Sequence, residues 1–150
     1  MPDIVSKEKR SEMMAGIKGR NTKPELLIRR LLHSMGFRYR LHRKDLPGKP
    51  DLVLPKYGAV IFINGCFWHG HDCSLFKTPS SNTDFWLQKI SSNKERDIKQ
   101  INKLVSGGYK VLVVWECSLR GKNKLSLNEI GFRIKDWLLN SKTNHEIACI

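Results

Sequence analysis

Hydrophobic spacing along the chain predicts an alternation of helices and strands. From residue 22, the run TKPELLIRRLLHSMG places Leu27, Ile28, Leu31, Leu32 and Met35 at helical intervals. Thr22 and Glu25 have the spacing of a capping box, and Pro24 sits in the first turn, where its missing N–H costs little. Gly36 closes the helix. FRYRLH at 37–42 alternates and predicts a strand with Arg38 and Arg40 on one face. LPGKP at 46–50 is a turn. DLVLP is a short strand after it, and GAVIFING at 58–65 is β-branched and almost wholly apolar, as a strand buried on both faces is. A polar loop over 74–82 leads to a long helix from Thr83 to Ser106, whose later apolar positions are Ile98, Ile101, Leu104 and Val105. Gly107 and Gly108 stop it. YKVLVVWE at 109–116 is another buried strand, and 126–140 is an amphipathic helix carrying Leu127, Ile130, Ile134, Trp137 and Leu138. A helix joining two apolar strands is the crossover unit of an α/β sheet.

A length of 150 residues suits one domain with its own core. Lys and Arg exceed Asp and Glu by 13, which points to a polyanion, nucleic acid before an anionic membrane. No apolar run is long enough to span a bilayer. The polar opening MPDIVSKEKRSEMMAG lacks a signal-peptide pattern, so a cytoplasmic protein with reduced cysteines is expected.

The chemistry concentrates in GCFWHGHDC at 65–73. Cys66, His71 and Cys73 leave the end of one apolar strand, and Cys117 follows the other. If those strands are neighbours, the four suit a closed tetrahedral zinc site of structural type. The opposing reading makes Cys66 and Cys117 small core residues. Cys149 lies in a polar tail with no specific role expected. Pro50–Asp51 heads the short strand in the manner of the PD-(D/E)xK nuclease core, where two acidic groups bind Mg2+ and, with a lysine, prepare a water for attack on phosphorus. The next strand, however, ends Phe62-Ile63-Asn64 where the acid and lysine would stand.

TKPE at 22–25, LPGKPDLVLP at 46–55, NGCFWHGHDC at 64–73, FWLQKISSNKERD at 85–97 and WEC at 115–117 together resemble the very-short-patch mismatch repair endonucleases, the Vsr family. The matches are collinear over roughly residues 10–120. The resemblance implies a PD-(D/E)xK restriction-endonuclease-like fold, a mixed central sheet flanked by helices with a structural zinc site. It implies Mg2+-dependent nicking of one DNA strand on the 5′ side of the T in a T:G mismatch, the product of 5-methylcytosine deamination.

Residue by residue, Asp51 matches the carboxylate ligand of Mg2+, and Ile63 a position offering its backbone carbonyl. His69 matches the histidine that activates the attacking water, and Glu25 an acidic residue reached through water on the metal. Cys66, His71, Cys73 and Cys117 match the Zn2+ ligands. Phe67 and Trp68 match aromatics that wedge into the base stack beside the mismatch, and Met14 a further wedge from the N-terminal arm. Trp86, Lys89 and Asn93 match DNA-facing positions, and their spacing puts them on one helix face. The chain departs from the family at Asn64, where a histidine is frequent. An asparagine can hydrogen-bond there but cannot take a proton at neutral pH.

The expected organisation is a DNA-contacting arm over 1–20, an endonuclease domain over 21–140 and a polar tail over 141–150. The expected partner is double-stranded DNA with a T:G mismatch, with mismatch repair proteins as family-level partners. No membrane partner is expected, and the default state is a monomer in the bacterial cytoplasm near the nucleoid. The alternatives are a restriction or defence nuclease of different specificity and a module that binds mismatches without cutting.

Overall fold

The computed structural model describes residues 22–73 and 75–149. The expected arm at 1–20, with Met14, lies outside the described residues. In chain order the elements are α1 (Lys23–Ser34), β1 (Arg40–Leu41), β2 (Leu52–Leu54), β3 (Ala59–Asn64), α2 (Thr83–Ser106), β4 (Lys110–Trp115), α3 (Leu127–Asn140) and β5 (His145–Ile147). Single turns of 3-10 helix follow β2 (Pro55–Tyr57) and β4 (Glu116–Ser118).

The strands form one mixed sheet in the order β1-β2-β3-β4-β5. The first three are antiparallel neighbours, and β3, β4 and β5 run parallel. Alternation along the strands divides the apolar side chains between two cores. Leu52, Leu54, Ala59, Ile61, Leu112 and Val114 face Ile28 and Leu32 of α1 and Ile130, Ile134, Trp137 and Leu138 of α3. Val53, Val60, Val111, Val113 and Trp115 face the other way, toward Leu104 of α2 and Cys66 and Cys117. The domain is therefore a helix–sheet–helix sandwich, as the alternation in the sequence predicts. No helix among the described residues is long and apolar enough to cross a membrane.

Local chemistry sets the helix ends. The Glu25 N–H donates to Thr22 Oγ1 at 3.4 Å, and the Glu129 N–H to Ser126 Oγ at 3.1 Å. Gly36 takes φ +82°, which lets the Phe37 N–H reach back to the Leu32 carbonyl. Two expectations change. The strand expected over 37–42 shrinks to Arg40–Leu41, since Phe37 turns into the core. The polar tail contributes β5, where only Ile147 is buried and Asn144 Oδ1 accepts the Val111 N–H at 2.8 Å. In α2, Leu104 is buried as expected, while Ile98 and Val105 are exposed.

Candidate active site

The register of β3 and β4 decides what meets at their C-terminal ends. Asn64 pairs with Trp115, so Cys66 and Cys117 each lie two residues past a paired position. The loop after β3 then folds back on itself, with the His71 N–H donating to the Cys66 carbonyl at 2.9 Å. Gly70 makes this possible. Its φ is +62°, and a Cβ there would stand 2.5 Å from Lys94 Cε and 2.6 Å from Ile90 Cγ2. The outcome is that Cys66, His71, Cys73 and Cys117 bring one donor atom each within 4.8 Å of all the others.

These four residues fit a zinc ion. His71 Nδ1 and Cys117 Sγ stand 3.6 Å apart. A tetrahedral ion with bonds of about 2.3 Å to sulfur and about 2.0 Å to nitrogen holds its ligands roughly that far apart. Burial holds the His71 imidazole below its ordinary range, which favours the neutral form that ligates metal. Burial also pushes the Cys66 thiol up, and the Cys117 thiol up to about 11, so thiolates here call for a bound cation. The His71 ring stacks on Trp115 at 4.2 Å between centroids, which fixes its plane. The Cys149 N–H lies 3.3 Å from Cys117 Sγ, giving the expected idle tail a contact with the cluster.

A cleft of about 510 Å³ opens beside this cluster. Asp51, Ile63, Asn64, His69 and Asp97 lie along it, with Lys44, Lys49 and Arg96 among its basic residues. Asp51 precedes β2, and the antiparallel pairing of β2 with β3 brings it to the end of β3. Its Oδ2 accepts the Ile63 N–H at 2.7 Å. Burial pushes its carboxyl up to about 7. Glu25's negative charge adds to that rise, while the Ile63 N–H and the Arg29 guanidinium oppose it. A buried carboxylate with a raised pKa beside a second carboxylate is suited to a hard divalent cation. Glu25, His42 and Asp51 also bring one donor atom each within 4.8 Å of one another.

Across the cleft, His69 Nδ1 lies 2.5 Å from Asp97 Oδ2. The carboxylate fixes the ring and leaves Nε2 as the nitrogen able to take a proton. Sequence reading missed Asp97, although it follows Trp86 and Asn93 on the same helix face at spacings of eleven and four. It also missed His42, for which the strand pattern at 37–42 gave no signal.

The remaining expected positions fall into two groups. Phe67, Trp68 and Trp86 pack against one another with centroids 5.3–5.8 Å apart, and Phe76 stacks on Phe67 at 6.0 Å. All four are half-buried, so this aromatic cluster is a surface platform. Asn93 Nδ2 donates to the Trp68 carbonyl at 2.9 Å, and Asn93 Oδ1 accepts from Arg96 at 2.6 Å. Asn93 thus ties the loop to α2, whereas Lys89 is exposed on that helix.

Comparison with known proteins gives the chain's relatives. The sequence profile of the family described as DNA mismatch endonuclease Vsr matches residues 2–75. The type II nicking enzyme V.NmeAIP of Neisseria meningitidis is 51% identical over 138 residues, covering 91% of this chain and 99% of its own length. The DNA mismatch endonuclease Vsr of Escherichia coli is 42% identical over 147 residues, covering 98% of this chain and 94% of its own. The catalytic domain of the homing endonuclease I-Bth0305I shares the fold, with a TM-score of 0.51 at 20% identity over 79% of this chain and 96% of that one.

Proposed function

The chain belongs to the DNA mismatch endonuclease Vsr family and is a DNA nicking endonuclease, and from that premise we propose that it cuts one strand of duplex DNA 5′ to the mispaired T of a T:G mismatch, using Mg2+. The observation that carries the proposal is the pairing across one cleft of the buried Asp51 carboxylate with the His69–Asp97 dyad.

In this reading Asp51 holds the cation, with the Ile63 backbone beside it. Mg2+, when bound, neutralises charge on the scissile phosphate. His69 takes the proton of the attacking water at Nε2, and Asp97 keeps Nδ1 engaged and supports the positive ring that results. Lys44, Lys49 and Arg96 draw the phosphate backbone into the cleft. Glu25 is reached through water on the cation and adds a second negative charge beside Asp51. Phe67, Trp68 and Trp86 offer apolar faces to bases beside the mispair, where unstacking costs least. Lys89 contacts the same DNA, Met14 adds a wedge from the arm at 1–20, and Zn2+ at the cysteine–histidine cluster clamps the loop that carries these aromatics. Asn64 lines the cleft without a titrating ring, so His69 is the base.

The test is a strand-specific cleavage assay with Mg2+ on duplexes that differ only in T:G, C:G or T:A at one position. A single nick beside T:G supports the proposal. Similar relatives are named type II nicking enzymes, which favours a second reading, a restriction or defence nuclease of different specificity. Equal cutting of matched duplexes would support that reading instead.

A further inference from the structure

Behind Asp51 stands His42, which the reading above does not use. It follows β1 directly, and its backbone N–H donates to the Asp51 carbonyl at 3.3 Å. Its φ is +45°, a left-handed conformation that residues with a side chain adopt rarely. From there its Nε2 lies 3.0 Å from Glu25 Oε2.

Glu25, His42 and Asp51 bring one donor atom each within 4.8 Å of one another. Arg29 Nη2 lies 3.0 Å from Glu25 Oε2 and 3.3 Å from His42 Nε2. In the metal-free fold a protonated Nε2 and the guanidinium can both donate to that carboxylate oxygen. A cation that replaces the Nε2 proton takes its lone pair instead, and neighbouring ligands at right angles with bonds of about 2.1 Å stand about 3.0 Å apart. With both carboxylates ionised, the one guanidinium leaves a negative charge for such a cation to balance.

The geometry points to a mixed nitrogen–oxygen cation site made by Glu25, His42 and Asp51, with His42 giving an imidazole ligand to the cation of the endonuclease. The inference rests on the reading of Asp51 as that cation's carboxylate ligand. Mg2+ prefers oxygen ligands throughout, whereas an imidazole suits transition cations. Mn2+ and Co2+ are therefore held more tightly than Mg2+, by a wider margin than carboxylates alone would give.

The test titrates Mn2+ into the full chain, with its metal content measured beforehand, and reads bound Mn2+ by electron spin echo spectroscopy. Wild type is expected to show nitrogen coupling to bound Mn2+. His42→Gln is expected to lose that coupling and bind Mn2+ at least tenfold more weakly, with an unchanged melting temperature. Its advantage in nicking rate with Mn2+ over Mg2+ shrinks in parallel. If the variant fails to fold, His69→Gln labelled with 15N-histidine decides, since His69 lies along the same cleft and the coupling must persist without it and change to that of 15N. Absent coupling in wild type overturns the inference, and so does coupling or affinity unchanged in His42→Gln. T:G-specific nicking that survives such a result leaves the proposed function standing. Nitrogen coupling with no preference for T:G overturns the proposed specificity and leaves the cation site.

Discussion

Two clusters of ionisable side chains sit at the same end of the sheet, a few residues apart along β3, yet they are built on opposite principles. Cys66, His71, Cys73 and Cys117 are soft donors with four ligands and a stacked tryptophan behind them. Asp51 and Glu25 are hard donors, and Asp51 opens on a cleft with lysines and an arginine along it. A set of four ligands that closes on itself leaves no position for substrate and can only hold structure. A set that is incomplete and faces solvent can exchange water and phosphate. In the proposed reading, ligand softness and closure, more than position in the fold, separate the clamp from the chemistry.

The largest expected effect breaks the comparison on its open side. Asp51→Ala should lower nicking by about 10³-fold or more while the fold and its zinc content persist. The readout is a single-turnover cleavage assay beside a melting curve and a metal analysis. Loss of the fold with loss of activity would mean that both clusters are structural.

The closed side should respond in the opposite way. Cys117→Ser removes a ligand supplied by a different strand end from the other three, so the loop over 65–73 loses its tie to β4. A stability loss of about 3 kcal/mol or more is expected, with zinc released stoichiometrically and DNA binding lost with it. A variant that keeps its melting temperature would contradict a structural role.

A smaller effect sharpens the open side. Asp97→Asn leaves a side chain able to reach His69 Nδ1 but removes the charge that supports a protonated ring. Nicking should fall about 10- to 100-fold, with DNA affinity unchanged in a binding assay. An unchanged rate would remove the dyad from the reaction.

Much of this division was legible in the sequence, and the reasons are physical. The apolar runs of β2, β3 and β4 and the cap at Thr22 declare their elements locally. Cys117 could be joined to Cys66 because parallel neighbours joined by one crossover bring like ends together. β5 was missed because His145 and Glu146 are exposed on an edge strand, which leaves no apolar run to read. His42 and Asp97 were missed for another reason. Their partners, Glu25 and His69, lie 17 and 28 residues away, and only the packing of α1 and α2 against the sheet brings them into reach.

The smallest effect concerns the charge at Asp51 and needs no substrate. In the metal-free fold its carboxyl is raised from an ordinary 3.8 to about 7, chiefly by burial. A group raised on folding favours the folded state while it is protonated. Its contribution is therefore full below pH 4 and disappears as pH rises toward 7. The metal-free protein should lose about 1–3 kcal/mol through this group across that window. Asp51→Asn keeps an acceptor for the Ile63 N–H and cannot ionise, so it should be the more stable protein at pH 7.5 without divalent cation. Below pH 4 the advantage should vanish, and a saturating divalent cation should reverse it by stabilising wild type alone. Thermal melts of both proteins at pH 4 and pH 7.5, with and without Mn2+, measure all three differences. The cysteine–histidine cluster should give no such crossover, because Mn2+ is a poor match for thiolates.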